Sequence, residues 1–231
     1  MDPISEIFLI RIGLALGMLA IGGFFDVWKR EVHDYLWIVF GSVGALLIVL
    51  EPNPMEFGFV TLFALLIAPL AIIVWRLGLF GGADAFALIA LAVITPQFTI
   101  SENHVTPFTT LSNAAVLFVI PLLSNILRNI IAIIRNENIF EGFKDPYWKK
   151  IFAMCIGYKA KNPKYGFSIE KRQGSIKKIT LSLHNAEDAE FEHKKNTWIT
   201  PGIPYLLLII GGFIIQLIYG DIIINSMSFN L

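Results

Sequence analysis

Long apolar segments that recur along the whole chain constrain its fold more than any other feature. A hydrocarbon core about 30 Å thick requires roughly 17 to 25 helical residues to cross it. The sequence meets or approaches that length over residues 7–25, 35–50, 57–75, 85–100, 113–134 and 203–224. Only 16% of the 231 residues are charged, against about 25% in soluble globular proteins. We therefore predict an all-α polytopic membrane protein with six transmembrane helices.

The distribution of Lys and Arg predicts how these segments are oriented. One set of loops carries Lys29, Arg30, Arg76 and 13 basic residues within 135–195, whereas residues 51–56, 97–112 and both termini contain none. Because positively charged loops stay in the cytoplasm, we predict a multi-pass plasma-membrane protein with its N-terminus outside. The first segment contains Arg11 and its charges follow rather than precede it, so we expect it to remain in the mature protein.

Residues 135–200 differ from the rest in being polar and charged, and they are too long for an ordinary turn. Apolar residues with helical spacing in 147–156 predict a short amphipathic helix, lying against the membrane or under a small sheet. Alternating apolar residues predict two strands, at Phe167 and Ile169 and then at Ile179, Leu181 and Leu183. We divide the chain into a membrane domain with helices 1 to 5 (1–134), a small α+β cytoplasmic insertion (135–200), and the sixth transmembrane helix with the C-terminus (201–231).

The charge balance and the cysteine count exclude several classes of protein. Eighteen Lys and Arg residues balance 18 Asp and Glu residues, which argues against a nucleic-acid partner. With Cys155 as its single cysteine, the chain can form neither an internal disulfide nor a cysteine-rich zinc site. The four histidines lack the spacing of metal ligands: His33, His104, His184 and His193. We expect no metal and no organic cofactor.

Two carboxylates beside apolar segments are the leading candidates for chemistry. Asp26 ends the first segment in the run 22–26 (GGFFD), and Asp84 opens the fourth in the run 81–84 (GGAD). Carboxylates near lipid are costly, and the predicted topology places both on the cytoplasmic side at similar depth. Two carboxyls within a few ångströms of each other share a proton. One can then activate water while the other donates a proton to a peptide carbonyl.

Each of these residues also has a structural alternative. Asp84 is placed to be the N-cap of the fourth helix, and Asp26 can pair with Lys29 or Arg30. The small residues beside the two acids would let an extended substrate backbone approach, or would serve only in tight helix packing or a turn.

Three runs of sequence resemble archaeal preflagellin and prepilin peptidases, which are GxGD membrane aspartic proteases. They are residues 26–37 (DVWKREVHDYLW), 81–84 (GGAD) and 198–204 (WITPGIP). The resemblance covers most of the chain. Ala83 occupies the second glycine position of GxGD, and the chain lacks the Cys-x-x-Cys pairs of the bacterial prepilin peptidases.

The resemblance implies that Asp26 and Asp84 are the catalytic pair of an aspartic endopeptidase that needs no metal. Its substrates would be archaellin (preflagellin) or type IV pilin-like precursors, from which it removes a short basic leader on the cytoplasmic side. The precursor's apolar helix and the lipid bilayer are the implied partners. We expect substrate to be bound by Gly81, Gly82, Ala83 and Asp34, the last of which could receive basic residues of the leader or could pair with neighbouring charges.

Five other residues receive a structural interpretation. Arg11 and Arg128 lie in apolar segments near their ends, where we expect their charges to snorkel to water. Pro69 and Pro121 fall within predicted spans and are expected to kink them. Asp221 lies near the outer end of the sixth segment, far from the other acids.

A proton-coupled transporter is the alternative function. In that hypothesis Asp26, Asp84 and Asp221 would relay protons. We favour it less, because transporter sites usually lie near the bilayer midplane in repeated halves. Here the acids lie at helix ends, and the sequence has no visible repeat.

Overall fold

The computed structural model describes residues 6–100, 103–173, 176–180 and 190–228. These residues form two compact units, one from the chain before Phe118 and after Ile203, the other from Phe118–Ile203. The structure thus groups residues 118–134 with the predicted insertion. The division into 1–134, 135–200 and 201–231 remains a prediction about which segments lie in the membrane.

The described residues form ten α-helices and five strands. The helices are α1 (Glu6–Lys29), α2 (Asp34–Leu46), α3 (Pro54–Ala64), α4 (Ile67–Arg76), α5 (Gly82–Ile94), α6 (Thr109–Leu117), α7 (Val119–Ile134), α8 (Tyr147–Ile156), α9 (Tyr205–Tyr219) and α10 (Ile222–Ser228). A 3₁₀ helix, Leu47–Leu50, follows α2. The strands are β1 (Tyr158–Ala160), β2 (Gly166–Ser168), β3 (Glu170–Gln173), β4 (Ile176–Ile179) and β5 (Thr197–Pro201).

Three helical stretches are long and apolar enough to cross a membrane: Glu6–Lys29, Pro54–Arg76 and Thr109–Ile134. Shorter apolar helices occupy the other predicted segments: Asp34–Leu50, Gly82–Ile94 and Tyr205–Tyr219. The prediction of a mostly helical chain with long apolar helices and a small β-containing insertion is therefore confirmed. Six complete spans remain a prediction.

Two helices are interrupted just before a proline. The break between α3 and α4 precedes Pro69, which has no N–H to donate to the Leu65 carbonyl four residues earlier. The Ala68 N–H donates to that carbonyl instead, at 2.9 Å. In the same way α6 ends at Leu117, four residues before Pro121. Both interruptions follow from the missing proline N–H.

Two helices end earlier than predicted. α5 stops at Ile94 because the next residue, Thr95, precedes Pro96, and a residue before proline disfavours the helical conformation. α9 stops at Tyr219, because Gly220 takes φ +83°, a left-handed conformation that glycine adopts without strain. The predicted ends at 100 and 224 are therefore too late.

α5 is the central helix of the first unit. Nine of its 13 residues are buried, and it packs against α1, α2, α4 and α9. A helix that is apolar on all sides belongs in an interior. Its four buried alanines, at 85, 87, 90 and 92, leave room for neighbouring helices to approach. Asp84, in the first turn of this buried helix, is therefore buried as well.

Glycines on α1 and α2 allow close helix packing in the same unit. A Cβ on Gly22 would lie 2.8 Å from the Trp37 ring. A Cβ on Gly44 would lie 3.1 Å from the Cα of Ile94, and a backbone atom cannot move aside as easily as a side chain. These positions therefore require glycine for the helices to meet.

Arg11 is fully buried in this unit. Its Nε donates to Glu51 Oε1 at 2.6 Å, and its Nη1 donates to the carbonyls of Gly44 (3.2 Å) and Ile94 (2.9 Å). The guanidinium carbon lies 4.3 Å from the centroid of the Phe57 ring. The expectation that Arg11 snorkels to water is wrong, because a carboxylate and the last carbonyls of two helices bind it inside the protein.

The strands belong to the second unit. β5 is the middle strand of a three-stranded antiparallel sheet with order β1-β5-β2, and β3 and β4 form a two-stranded antiparallel hairpin. The alternation at Phe167 and Ile169 corresponds to β2 and the residue after it. The predicted strand residues Leu181 and Leu183 lie outside the described residues.

Trp198 on β5 is the centre of the second unit's core. Its Nε1–H donates to the Ile139 carbonyl at 2.7 Å, and its ring stacks on Phe140 with centroids 4.8 Å apart. Ala153 of α8 is buried in the same core. Arg128 of α7 is exposed and lies over the Tyr158 ring at 4.7 Å, in keeping with the expected position at water.

Candidate active site

Asp26 and Asp84 are brought together in the first unit by α1 and α5. Asp26 lies three residues before the end of α1 and is half-buried. Asp84 is the third residue of α5 and is buried. The two carboxyl groups are close enough to interact electrostatically. The fold thus places both predicted acids at helix ends in one site.

Asp84 is oriented by the turn that begins α5. The Gly81 N–H donates to Asp84 Oδ2 at 2.9 Å, and the Asp84 N–H donates back to the Gly81 carbonyl at 3.1 Å. Gly81 is the N-cap, and the expectation that Asp84 itself caps the helix is wrong. A capping box has two reciprocal hydrogen bonds between a side chain and the backbone. Glycine has no side chain to accept one of them, so the bond present is the one that Asp84 Oδ2 accepts from the Gly81 N–H.

Asp26 is oriented by the beginning of α9. The backbone N–H of Leu206 donates a hydrogen bond to the Asp26 carboxyl group, and Arg30 interacts with it electrostatically. Arg30 follows α1 with φ +59°, and its N–H donates to the Asp26 carbonyl at 3.2 Å. Of the two basic neighbours considered as partners, Lys29 instead places its ammonium over the Trp28 ring, at 5.3 Å.

Tyr205 is a third polar side chain in the site that sequence analysis missed. It is the first residue of α9, its ring stacks on Phe80 with centroids 5.4 Å apart, and it interacts electrostatically with Asp84. Together with the Leu206 N–H, it lets the start of α9 interact with both acids. The available signal was a tyrosine immediately after the run 198–204, at the start of an apolar segment.

The small residues beside the acids fall into two groups. Gly23 serves helix packing, because a Cβ there would lie 2.6 Å from Ile210 Cδ1. A Cβ on Gly81 would meet only Asp84 Oδ2, at an ordinary 3.5 Å, so packing does not require glycine there. Gly82 is buried and Ala83 is half-buried against the core. Space beside Gly81 is therefore available to a ligand backbone.

Asp34 is the first residue of α2 and is exposed. His33 before it makes no side-chain hydrogen bond to the helix start. A role for Asp34 in binding basic residues remains a prediction.

Asp221 has a structural role in the first unit. Its Oδ2 accepts hydrogen bonds from Thr109 Oγ1 and Ser112 Oγ, both at 2.9 Å. Its Oδ1 accepts from the N–H groups of Ile223 and Ile224 at the start of α10. These bonds explain the burial of the carboxylate, because it links α6 to α10. They also weaken the transporter hypothesis, in which Asp221 would relay protons.

Among the residues that the structure describes, no group of three or more His, Cys, Asp or Glu side chains is arranged to hold a metal ion.

Comparisons with known proteins place the chain beside a family of peptidases. A family model described as archaeal peptidase A24 C-terminus, type II, matches residues 149–222. The chain is 24% identical to a preflagellin peptidase of Methanocaldococcus jannaschii, with 91% of this chain and 94% of the relative aligned. It is 26% identical to one of Methanococcus maripaludis (92% and 96%) and 24% identical to one of Methanococcus voltae (93% and 97%). The resemblance to archaeal preflagellin peptidases predicted from the motifs is confirmed.

Proposed function

From this resemblance, which extends over more than 90% of the chain, we propose that the protein is a membrane aspartic endopeptidase that removes the leader peptide from preflagellin. The observation that carries the proposal is that α1 packs against α5, with Asp26 near the end of the first helix and Asp84 in the first turn of the second, and that the two carboxyls interact electrostatically. Type IV pilin-like precursors, whose leaders are also short and basic, are proposed as further substrates.

The proposed reaction uses a water molecule held between the two carboxyls. The ionised carboxylate takes a proton from the water, which attacks the peptide carbonyl, while the protonated carboxyl donates its proton to the carbonyl oxygen. As the tetrahedral intermediate collapses and the C–N bond breaks, the leaving amine takes up a proton from the acid that received one. The other carboxylate takes a proton from a hydroxyl of the intermediate, which leaves a carboxylic acid product and restores both acids. The Gly81 and Leu206 N–H groups keep the two carboxyls oriented.

The substrate would lie in extended form beside the start of α5. Gly81 leaves room for a backbone strand, and Asp34 at the exposed start of α2 would attract the basic leader. The basic loops on the same side of the chain support a cytoplasmic site. The precursor's apolar helix would remain in the bilayer next to the enzyme.

The test is cleavage of a precursor archaellin and a precursor pilin by membranes containing the wild-type chain, Asp26→Asn or Asp84→Asn. Each substitution removes an acid that must transfer a proton, so we expect cleavage to fall by about 10²- to 10⁴-fold or more. Leader loss is followed by gel shift, with expression levels matched by immunoblot.

Glu56→Gln is the matched control, because it neutralises an exposed carboxylate in the first turn of α3. It should leave cleavage unchanged. Full cleavage by either aspartate variant would refute the two-acid mechanism, and failure of the wild type to cut both precursors would refute the proposed substrates.

A further inference from the structure

One face of α8 is apolar and is left uncovered by the residues of the second unit that the structure describes. Four large side chains on it are between 49 and 85% exposed: Tyr147, Trp148, Ile151 and Phe152. We call these four residues the α8 face. Exposed apolar side chains are common singly, but a contiguous group of this kind usually marks an interaction site.

The geometry of the helix directs the α8 face away from the core of the second unit. At 100° per residue the four side chains fall within about 140° of the helix surface, so they form one broad face. Ala153, which the 100° turn per residue places nearly opposite their centre, is fully buried in the core of the unit. The helix is thus anchored by its small residue and presents its largest apolar residues outward.

α7 determines where this face lies with respect to a membrane. Asn129 Nδ2 donates to the carbonyls of Met154 (3.0 Å) and Gly157 (2.8 Å), and Asn125 Nδ2 donates to that of Cys155 (3.3 Å). The end of α8 is therefore fastened to α7 at residues 125–129. Asn125 lies nine residues before the end of α7, or about 14 Å at the helical rise.

α7 itself forms part of the stretch Thr109–Ile134, which is long and apolar enough to cross a membrane. Apart from Arg128, which lies over the Tyr158 ring, its exposed side chains near the α8 attachment are apolar: Leu123, Leu127, Ile130, Ile131, Ile133 and Ile134. The 26 residues of this stretch extend about 39 Å, which is longer than a hydrocarbon core about 30 Å thick. Asn129, five residues before its end, would therefore hold α8 near the boundary of that core. The apolar surfaces of α7 and α8 would then meet the same lipid.

The charge of the second unit favours binding to anionic lipid. Residues 118–203 contain 14 Lys and Arg against eight Asp and Glu, a formal charge of +6 in a chain of zero net charge. Lys149 and Lys150 lie on α8 itself, and Lys149 is also 3.8 Å from Asp145. Lysines beside exposed Trp and Tyr are typical of helices that lie in the headgroup region of anionic membranes.

We propose that the α8 face is a membrane-surface anchor that inserts into the headgroup region of an anionic bilayer and holds the second unit against it. A second copy of the chain is a poorer occupant. Four side chains are few beside the roughly 20 to 30 residues that each partner contributes to a standard protein interface.

The test measures membrane depth on the full chain reconstituted in vesicles of phosphatidylcholine and phosphatidylglycerol in equal parts. Cys155, the single cysteine, is replaced by Ala, and one cysteine carrying a nitroxide is introduced as Ile151→Cys. Collision with oxygen, which concentrates in lipid, is compared with collision with a water-soluble nickel chelate. Lys164→Cys, exposed in the same unit, is the matched control.

We expect the label at 151 to be several-fold more accessible to oxygen, relative to nickel, than the label at 164. Trp148→Cys repeats the measurement at a second position of the face. The proposal is overturned if the labels at 151 and 148 match the label at 164, since the face would then lie in water. Spin–spin broadening without preference for oxygen would also overturn it, by assigning the face to a second copy.

Repeating the measurement in phosphatidylcholine alone should reduce the oxygen preference, and an unchanged preference would refute the role of anionic lipid.

Discussion

Arg11 provides the sharpest test of how the first unit is held together. The change is Arg11→Met, which keeps an unbranched apolar side chain and removes the guanidinium. It deletes a charged hydrogen bond to Glu51 at 2.6 Å and those to the carbonyls of Gly44 and Ile94. It also leaves the Glu51 carboxylate, whose side chain is only 10% exposed, without that partner.

The expected loss follows from these contacts. Breaking a buried ion pair by removing one partner costs about 3 to 5 kcal/mol. We therefore expect Arg11→Met to lower the free energy of unfolding by about 3 to 5 kcal/mol. In the double variant Arg11→Met, Glu51→Gln no uncompensated charge remains. It should recover about 1 to 3 kcal/mol of the loss, the usual cost of an unsatisfied buried group.

Equilibrium unfolding in mixed micelles, with increasing SDS and tryptophan fluorescence as the signal, measures these free energies. Arg128→Met is the matched control, because Arg128 is exposed over the Tyr158 ring. It should cost at most about 1 kcal/mol, the worth of an exposed cation–π contact. A loss below 1 kcal/mol for Arg11→Met, or a double variant no more stable than Arg11→Met, would refute the reasoning about the buried pair.

Two further predictions concern the site itself. Tyr205→Phe keeps the ring that stacks on Phe80 and removes the hydroxyl, which interacts electrostatically with Asp84. We expect kcat for leader cleavage to fall about 10-fold, corresponding to about 1.4 kcal/mol of transition-state stabilisation, with KM unchanged. Tyr219→Phe, at the other end of α9, is the control, and equal kcat values in the two variants would contradict a role for Tyr205. Gly81→Ala should lower the free energy of unfolding by no more than about 1 kcal/mol, because the new Cβ makes only a 3.5 Å contact and alanine is a weaker N-cap than glycine. It should raise KM by crowding the substrate backbone, and an unchanged KM in a cleavage assay would show that the backbone does not pass there.

The helical elements were largely predictable because their signals are local. Apolar length defined the segments, and Pro69 and Pro121 marked the interruptions through their missing N–H groups. The predicted ends at 100 and 224 are too late, although Pro96 and Gly220 indicate that the helices end at Ile94 and Tyr219. Apolar residues continue past both positions. A prediction based on hydropathy therefore extends each helix beyond the residue at which the backbone ends it.

The acids of the site were predictable from their positions, and their surroundings were not. Asp26 and Asp84 stand out because charges near lipid are rare. The contribution of α9 depends on a contact between Leu206 and Asp26, which are 180 positions apart in sequence. The prediction that Arg11 snorkels to water is wrong for the same reason. Its position near a segment end suggested water, but its partners come from the ends of other helices, whose packing no local pattern reveals.

The hydrogen bond from α9 to Asp26 has a consequence for synthesis of the protein. Asp26 leaves the ribosome early, and Leu206, which orients it, follows 180 residues later. At about 5 to 20 residues per second this delay is roughly 10 to 40 seconds. Once Asp84 has also been made, the nascent chain carries both acids without the Tyr205 ring or the Leu206 N–H. A product released before residue 205 would likewise lack the Tyr205 ring and the Leu206 N–H, so translation of the start of α9 sets the moment at which a competent centre can assemble.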